Sequence, residues 1–263
     1  MTVEIKGEMK SCLKPLFLGW EETMINSCLQ GYMGRAFANA EQMPESGMLC
    51  VGDFYFLSGT PNEDLVRTIR KIAGETALVI PREKEWESLI CEILPEAEET
   101  LRYALKKNRN SFCIEKLEKL VKDLPDGFYI QPIDEELYQR CLMQEWSRDF
   151  VSLFRNDKQY KECGIGFVVM HGDDLAAGAS SYSYYDGGIE IEIDTKLEYR
   201  RRGLASACAA RLILECLDRG LFPSWDAANR ISLALAEKLG YQFDQAYVTY
   251  VWEQNRIEEN SKS

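Results

Sequence analysis

Gly188-Ile189-Glu190-Ile191-Glu192-Ile193-Asp194-Thr195, followed by Lys196-Leu197-Glu198-Tyr199-Arg200-Arg201-Arg202 and then Gly203-Leu204-Ala205-Ser206, is the stretch whose reading decides the fold. Its first part alternates with period two. Ile189, Ile191, Ile193 and Thr195 share one face and Glu190, Glu192 and Asp194 the other, which predicts a strand. Past Gly203 the period changes. Leu204, Cys208 and Leu212, with Ala205, Ala209, Ile213, Cys216 and Leu217, make an apolar stripe at three-to-four spacing, and Arg211, Glu215 and Asp218 lie off it. A helix is predicted, stopped by Gly220.

The chemistry lies at the junction. A helix start presents N–H groups without internal partners and the positive end of the helix dipole. Gly203 allows close approach to that backbone, Ala205 and Ser206 keep the neighbouring side chains short, and three consecutive arginines add positive charge to an otherwise acidic chain. A lone glycine turn with solvated arginines would carry little meaning. The coincidence of these signals favours a pocket for a di- or polyphosphate.

These residues resemble a known family. Arg200-x-x-Gly203-x-Ala205 fits the (Gln/Arg)-x-x-Gly-x-(Gly/Ala) signature of the GNAT superfamily of acyl-CoA-dependent N-acetyltransferases. Asn229 and then Glu237-Lys238-Leu239-Gly240-Tyr241 are similar to that superfamily's next motif. The wider run through Trp225-Asp226-Ala227 is similar to the branch that includes the zwittermicin A resistance acetyltransferase. The motifs cover residues 187–241, and the pattern extends over about 127–255. The resemblance implies a mixed, mostly antiparallel sheet flanked by helices. It also implies an acetyl-CoA site, in which the backbone of Arg200, Arg201, Arg202, Gly203, Leu204, Ala205 and Ser206 cradles the pyrophosphate. The arginines would reach the 3′-phosphate, Ile193, Asp194 and Thr195 would bond the pantetheine arm, and Asn229 would bond the cofactor or cap its helix.

Composition sets the bounds. The chain has 263 residues, 46% hydrophobic and 28% charged, enough for one large or two modest globular domains. Nine cysteines without a Cys-x-x-Cys, and a single histidine (His171) in a turn sequence, argue against a disulfide framework, a metal site and histidine-based triads, and suit a reducing cytoplasm. The net charge of −12 opposes nucleic acid and anionic membranes as partners and attracts cations. No window reaches a membrane span, and the polar start Met1-Thr2-Val3-Glu4-Ile5-Lys6 is no signal peptide.

Along the chain, helices are predicted over Glu21–Ala40, after an Asn62 cap to Gly74, around Trp86–Leu94 and around Glu96–Lys107. A strand or hairpin is predicted at Met48–Leu57 and a buried strand at Thr76–Ile80. This half reads as an α/β layer without a phosphate loop, and a degenerate copy of the second half is one reading of it. Leu124-Pro125-Asp126-Gly127 marks the boundary between a domain 1–125 of unassigned role and a domain 126–263 of the GNAT type. The second begins with a strand at Phe128–Ile133, then helices over Glu135–Phe154, a polar span at 155–160 and a hairpin of Gly164–Met170 with Leu175–Tyr185. It closes with a strand at Tyr247–Trp252, and Gln254 onward reads as a tail.

Acyl transfer needs a held thioester, a deprotonated amine and a stabilised oxyanion. Glu192 and Glu190 are the candidate amine-binding groups or bases, against the alternative of a solvated acidic face. The tyrosine many family members carry before the Lys-x-Gly motif is Ala236 here, which leaves Ser232, one turn earlier, as a candidate donor. The expected reaction moves an acetyl group from acetyl-CoA to a small-molecule primary amine, an aminopolyol antibiotic or related metabolite by analogy, with a homodimer left open. Two alternatives stand beside it: a dinucleotide-binding unit with Asp226 at the ribose, and a non-catalytic acyl-CoA sensor.

Overall fold

The computed structural model describes residues 2–254; the tail expected beyond Gln254 lies outside them. The chain divides into two units, residues 103–245 forming one and the remainder on either side the other.

The chain opens with β1 (Val3–Ile5), α1 (Lys14–Phe17), α2 (Thr23–Leu29), β2 (Arg35–Ala38), β3 (Ser46–Val51), β4 (Phe54–Gly59), α3 (Glu63–Ile72), β5 (Thr76–Pro81), α4 (Glu85–Ile93) and β6 (Glu98–Leu105). In the first unit β1 to β4 form an antiparallel meander and β5 joins β4 in parallel through α3. α3 and α4 pack their apolar stripes (Leu65, Val66, Ile69; Trp86, Ile90) on Met48, Leu57 and Val79 of the sheet. Each fully buried aliphatic here stabilises by about 1.5–3 kcal/mol over its exposed state. Asn62 caps α3, its side chain accepting from the Leu65 N–H.

The chain continues with α5 (Ile114–Lys122), β7 (Phe128–Pro132), α6 (Glu135–Met143), α7 (Asp157–Cys163), β8 (Gly166–His171), β9 (Asp174–Tyr185), β10 (Gly188–Thr195), α8 (Leu204–Asp218), β11 (Phe222–Ser224), β12 (Asp226–Ala227) and α9 (Arg230–Leu239) of the second unit, and ends in β13 (Phe243–Glu253), most of which belongs to the first. In the second unit β7 to β10 form the antiparallel meander and β11 joins β10 in parallel through α8. Leu204, Cys208, Leu212, Ile213 and Cys216 of α8 are buried in one cluster with Ile189 and Ile191 of β10 and with Phe167, Val169, Ala177 and Ala179. The turn Leu124-Pro125-Asp126-Gly127 connects α5 to β7 within this unit. An antiparallel neighbour for β10 removes the dinucleotide-binding alternative, which requires parallel strands on both sides.

The two units repeat one order: a strand, helices, a three-strand meander, a helix, a parallel strand, a helix and a last strand. The last strands are exchanged. β13, following the second copy, pairs with β5 in the first unit (Tyr250 opposite Val79), and the end of β6, following the first copy, pairs with β12 in the second (Ala104 opposite Asp226).

Two expected helices are corrected. Residues 98–105 form β6 in place of the helix expected around Glu96–Lys107; at its end Ala104 and Tyr103 pair with Asp226 and Ala227, partners distant in sequence that local preference does not register. The helix expected over Glu21–Ala40 stops at Leu29, where Gly31 (φ 85°) and Gly34 (φ 76°) turn the chain into β2. The polar span at 155–160 leads into α7, with Asn156 accepting from the Gln159 N–H as its cap.

Candidate functional site

β10 keeps β9 along its whole length, but its other edge is covered by β11 only from Gly188 to Glu190. There β11 ends, and the chain turns through Trp225 into β12, which pairs elsewhere. Among the described residues no strand covers Ile191 to Thr195 on that side, so the backbone of this edge is open to a ligand that can pair with it. A register shift sits between Glu190 and Ile191, where Tyr182 of β9 is the extra residue.

At the far end of this edge is the arginine turn. Its base is fixed by Lys196, whose Nζ reaches Asp174 Oδ2 at 2.8 Å, and by Tyr199, whose hydroxyl donates to the same carboxylate at 3.0 Å. The Lys196 hydrogen bond holds the Asp174 carboxyl below its usual range. Arg200 is folded back on the strand, with Nε on the Thr195 carbonyl at 3.0 Å and Nη2 3.3 Å from Asp194 Oδ1. Arg201 adopts φ 63°, rare for a side chain bearing a Cβ, and Gly203 sits at φ 82° as the N-terminal flank of α8. α8 has no side-chain cap and no acidic residue in its first turn. Among the described residues the amides of Arg201 to Ser206 donate to no protein acceptor, and a Cβ built on Gly203 meets nothing within 4 Å. Six consecutive amides, one helix dipole and the exposed side chains of Arg201 and Arg202, the latter over the Tyr199 ring, therefore belong to one short turn.

The residues singled out from sequence take distinct places. Ile193 lies on the open edge beside Asp194, and Thr195 ends it. Glu190 is 3% exposed, while Glu192 and Asp194 are half-buried. Asp194 also accepts from the Thr195 N–H at 2.6 Å, so its carboxylate serves the turn. Glu190 lies in register with Ser183 on β9 and Ser224 on β11. Burial, and then the Glu190 charge, push the Tyr185 hydroxyl up. Asn229 caps α9, its side-chain oxygen accepting from the Ile231 and Ser232 amides at 2.9 Å each. Ser232 accepts from the Trp225 indole N–H at 3.1 Å, which anchors the residue where β11 leaves β10. Ala236 is fully buried.

Two lysines escape sequence reading. Lys238, inside the Lys-x-Gly motif, places its Nζ 3.0 Å from Ser206 Oγ in the first turn of α8, adding a cation beside the start of that helix. Lys107 donates to Ser224 Oγ at 2.6 Å, next to the point where β10 and β11 separate. The motif could have drawn attention to Lys238. Nothing in the sequence around Lys107 marks it. Among the described residues no group of three His, Cys, Asp or Glu side chains could hold a metal ion, and no helix is long and apolar enough to cross a membrane.

Known proteins give the arrangement a context. The family model described as GNAT acetyltransferase matches residues 14–250. The chain is 28% identical over 260 residues to an uncharacterized N-acetyltransferase, YdfB, of Bacillus subtilis (strain 168), covering 94% of this chain and 97% of that one. It is 44% identical to a GCN5-related N-acetyltransferase-like protein from Streptococcus suis 89/1591 whose crystal structure superposes with a TM-score of 0.89 over 94% of this chain and 99% of the other. A tandem GNAT protein from the clavulanic acid biosynthesis pathway shares the fold at 11% identity, with a TM-score of 0.52 over 96% of this chain and 98% of its own.

Proposed function

We propose, from the premise that the chain belongs to the GNAT acetyltransferase family and is an N-acetyltransferase, that the second unit carries the reaction. Acetyl-CoA lies with its pyrophosphate on the amides of Arg201 to Ser206 and its pantetheine arm along the open edge of β10. The observation that supports this most is the pairing of that edge with the uncapped start of α8: one offers hydrogen bonds to an extended amide chain, the other to a diphosphate. Ile193 then meets the arm through its backbone, on the edge that Asp194 continues and Thr195 ends, the N–H and carbonyl of Thr195 being held by Asp194 and Arg200, while Arg201, Arg202 and Lys238 balance the phosphate charge. Arg200 contributes by holding the turn to the strand.

The thioester reaches the place where β10 and β11 separate, beside Glu190 and Glu192. There the acceptor amine attacks the thioester carbon. The C–S bond breaks, its electron pair leaves on sulfur, and the amine proton passes to a carboxylate, directly or through water. A backbone N–H of the open edge faces the carbonyl oxygen as charge develops on it. Ser232 is assigned to holding Trp225. The acceptor is a small primary amine drawn in by the carboxylates; an aminopolyol is the class the zwittermicin-type resemblance suggests, in a reducing, cytoplasmic setting.

The test is thiol release from acetyl-CoA across a panel of amines, with acetyl-CoA affinity measured separately by calorimetry. Glu192→Gln and Glu190→Gln should each lower turnover by about 10²-fold or more while affinity stays within about twofold. Unchanged turnover in both removes the carboxylates from the chemistry. Cofactor affinity without turnover on any amine would favour the sensor reading.

A further inference from the structure

The two copies of the fold differ in the turn from the meander's last strand into the following helix. In the second copy that turn runs over residues 196–203 and leaves its amides open. In the first it is only Thr60-Pro61-Asn62, and four positions from Gly59 to Leu65 have their N–H engaged or missing. The Gly59 N–H donates to Glu83 Oε2 at 3.1 Å and the Thr60 N–H to the Glu45 carbonyl at 2.8 Å. Pro61 has no N–H. The Leu65 N–H goes to the Asn62 side chain at 3.2 Å. The first turn of α3 carries Glu63 and Asp64, which neutralise the dipole end that would attract a phosphate. Ser58 Oγ at 3.3 Å and the Trp86 indole at 3.2 Å are also within reach of Glu83, though each has a shorter acceptor, in the Leu16 carbonyl at 2.7 Å and the Gly59 carbonyl at 2.9 Å respectively. Three donors thus surround a half-buried carboxylate that the Gly59 N–H serves first. Gly59, at φ 89°, lies so close to Glu45 that a Cβ would run into its carbonyl oxygen.

We infer that the first unit is a second acetyltransferase fold whose cofactor cradle is filled from within, by the Glu83 carboxylate, the Asn62 cap and the Glu45 carbonyl, so that each chain holds one coenzyme A. This rests on the reading of the second unit given above. The first copy keeps the strand-helix-strand step that builds such a site and replaces the anion with its own acidic side chain. The end of β6 pairs with β12.

Calorimetric titration of the full chain with coenzyme A tests this directly. The wild type should take up one molecule per chain, and Gly203→Val should take up none, with affinity weakened by at least about 100-fold. Two molecules per chain, or a Gly203→Val protein retaining one, would overturn the inference and leave the second unit's assignment standing. No uptake by the wild type would remove both. Glu83→Ala should lower the thermal midpoint, and formate at roughly tens of millimolar should restore part of the loss while leaving the wild type unmoved. No restoration by formate would show that the three donors do not form an anion site.

Discussion

The starts of α3 and α8 solve the same backbone problem in opposite ways. α3 has an asparagine cap, two acidic residues in its first turn and a neighbouring carboxylate, so donors on both sides of its start are engaged and its dipole is met. α8 has a left-handed glycine, no cap, a strained arginine and a row of unused amides. The first arrangement stabilises the protein, and the second leaves stabilisation to be completed by a ligand. A place where a chain declines the cap that its other copy uses is where an anion is expected.

That contrast can be broken by exchanging what the two turns lack. The largest expected difference is between glycines. Gly203→Val should weaken acetyl-CoA binding by about 100-fold or more with a small shift in melting temperature, since the site is open and only the φ 82° backbone resists. Gly59→Val should do the reverse, costing about 3 kcal/mol or more, near 10 °C in melting temperature, with the affinity of the folded fraction unchanged. Differential scanning calorimetry beside titration separates the two. If both variants lose affinity, the first unit is not the silent copy described.

Lys238→Ala should weaken coenzyme A binding about fivefold at low salt, and the gap should narrow as salt rises, because Lys238 is exposed and screened. Asn62→Ala should cost about 1 kcal/mol, some 2–4 °C, without touching affinity. The same change at Asn229 should cost as much, and any loss of coenzyme A affinity beyond it would measure a cofactor contact by that side chain. The smallest effect is acid-dependent. The Asp174 carboxyl is held below its ordinary range by Lys196, so its contribution is present above the unfolded value of about 3.9 and is lost as pH falls through the depressed folded value. The melting-temperature gap between wild type and Asp174→Asn should therefore shrink on going from about pH 6 to pH 3. A constant gap would make Asp174 a neutral hydrogen-bonding residue.

Much of the second unit was legible in the sequence because its signals are local. Period two in Ile189–Thr195, the stripe beginning at Leu204 and the Arg200 to Ala205 spacing each depend on residues a turn or two apart. What stayed hidden depends on distance. Lys238 meets Ser206 from across the fold, and Lys107 meets Ser224 from farther still. β6 meets, at its end, a partner over a hundred positions away. The equivalence of the two copies was masked for a related reason. The residues that would have announced it, a long basic turn and a glycine before the helix, are those the first copy replaced with Thr60-Pro61-Asn62.

The exchange of β6 and β13 bears on how the chain comes off the ribosome. The first unit lacks the partner of β5 until Ala246–Glu253 has been synthesised, so the half made first is completed last. Its strand β5 waits with an unfilled edge through most of translation, a state in which another nascent copy could supply the missing strand. Cutting the chain at Pro125-Asp126-Gly127, natural as that turn looks for a hinge, would yield two fragments that each lack a strand held by the other.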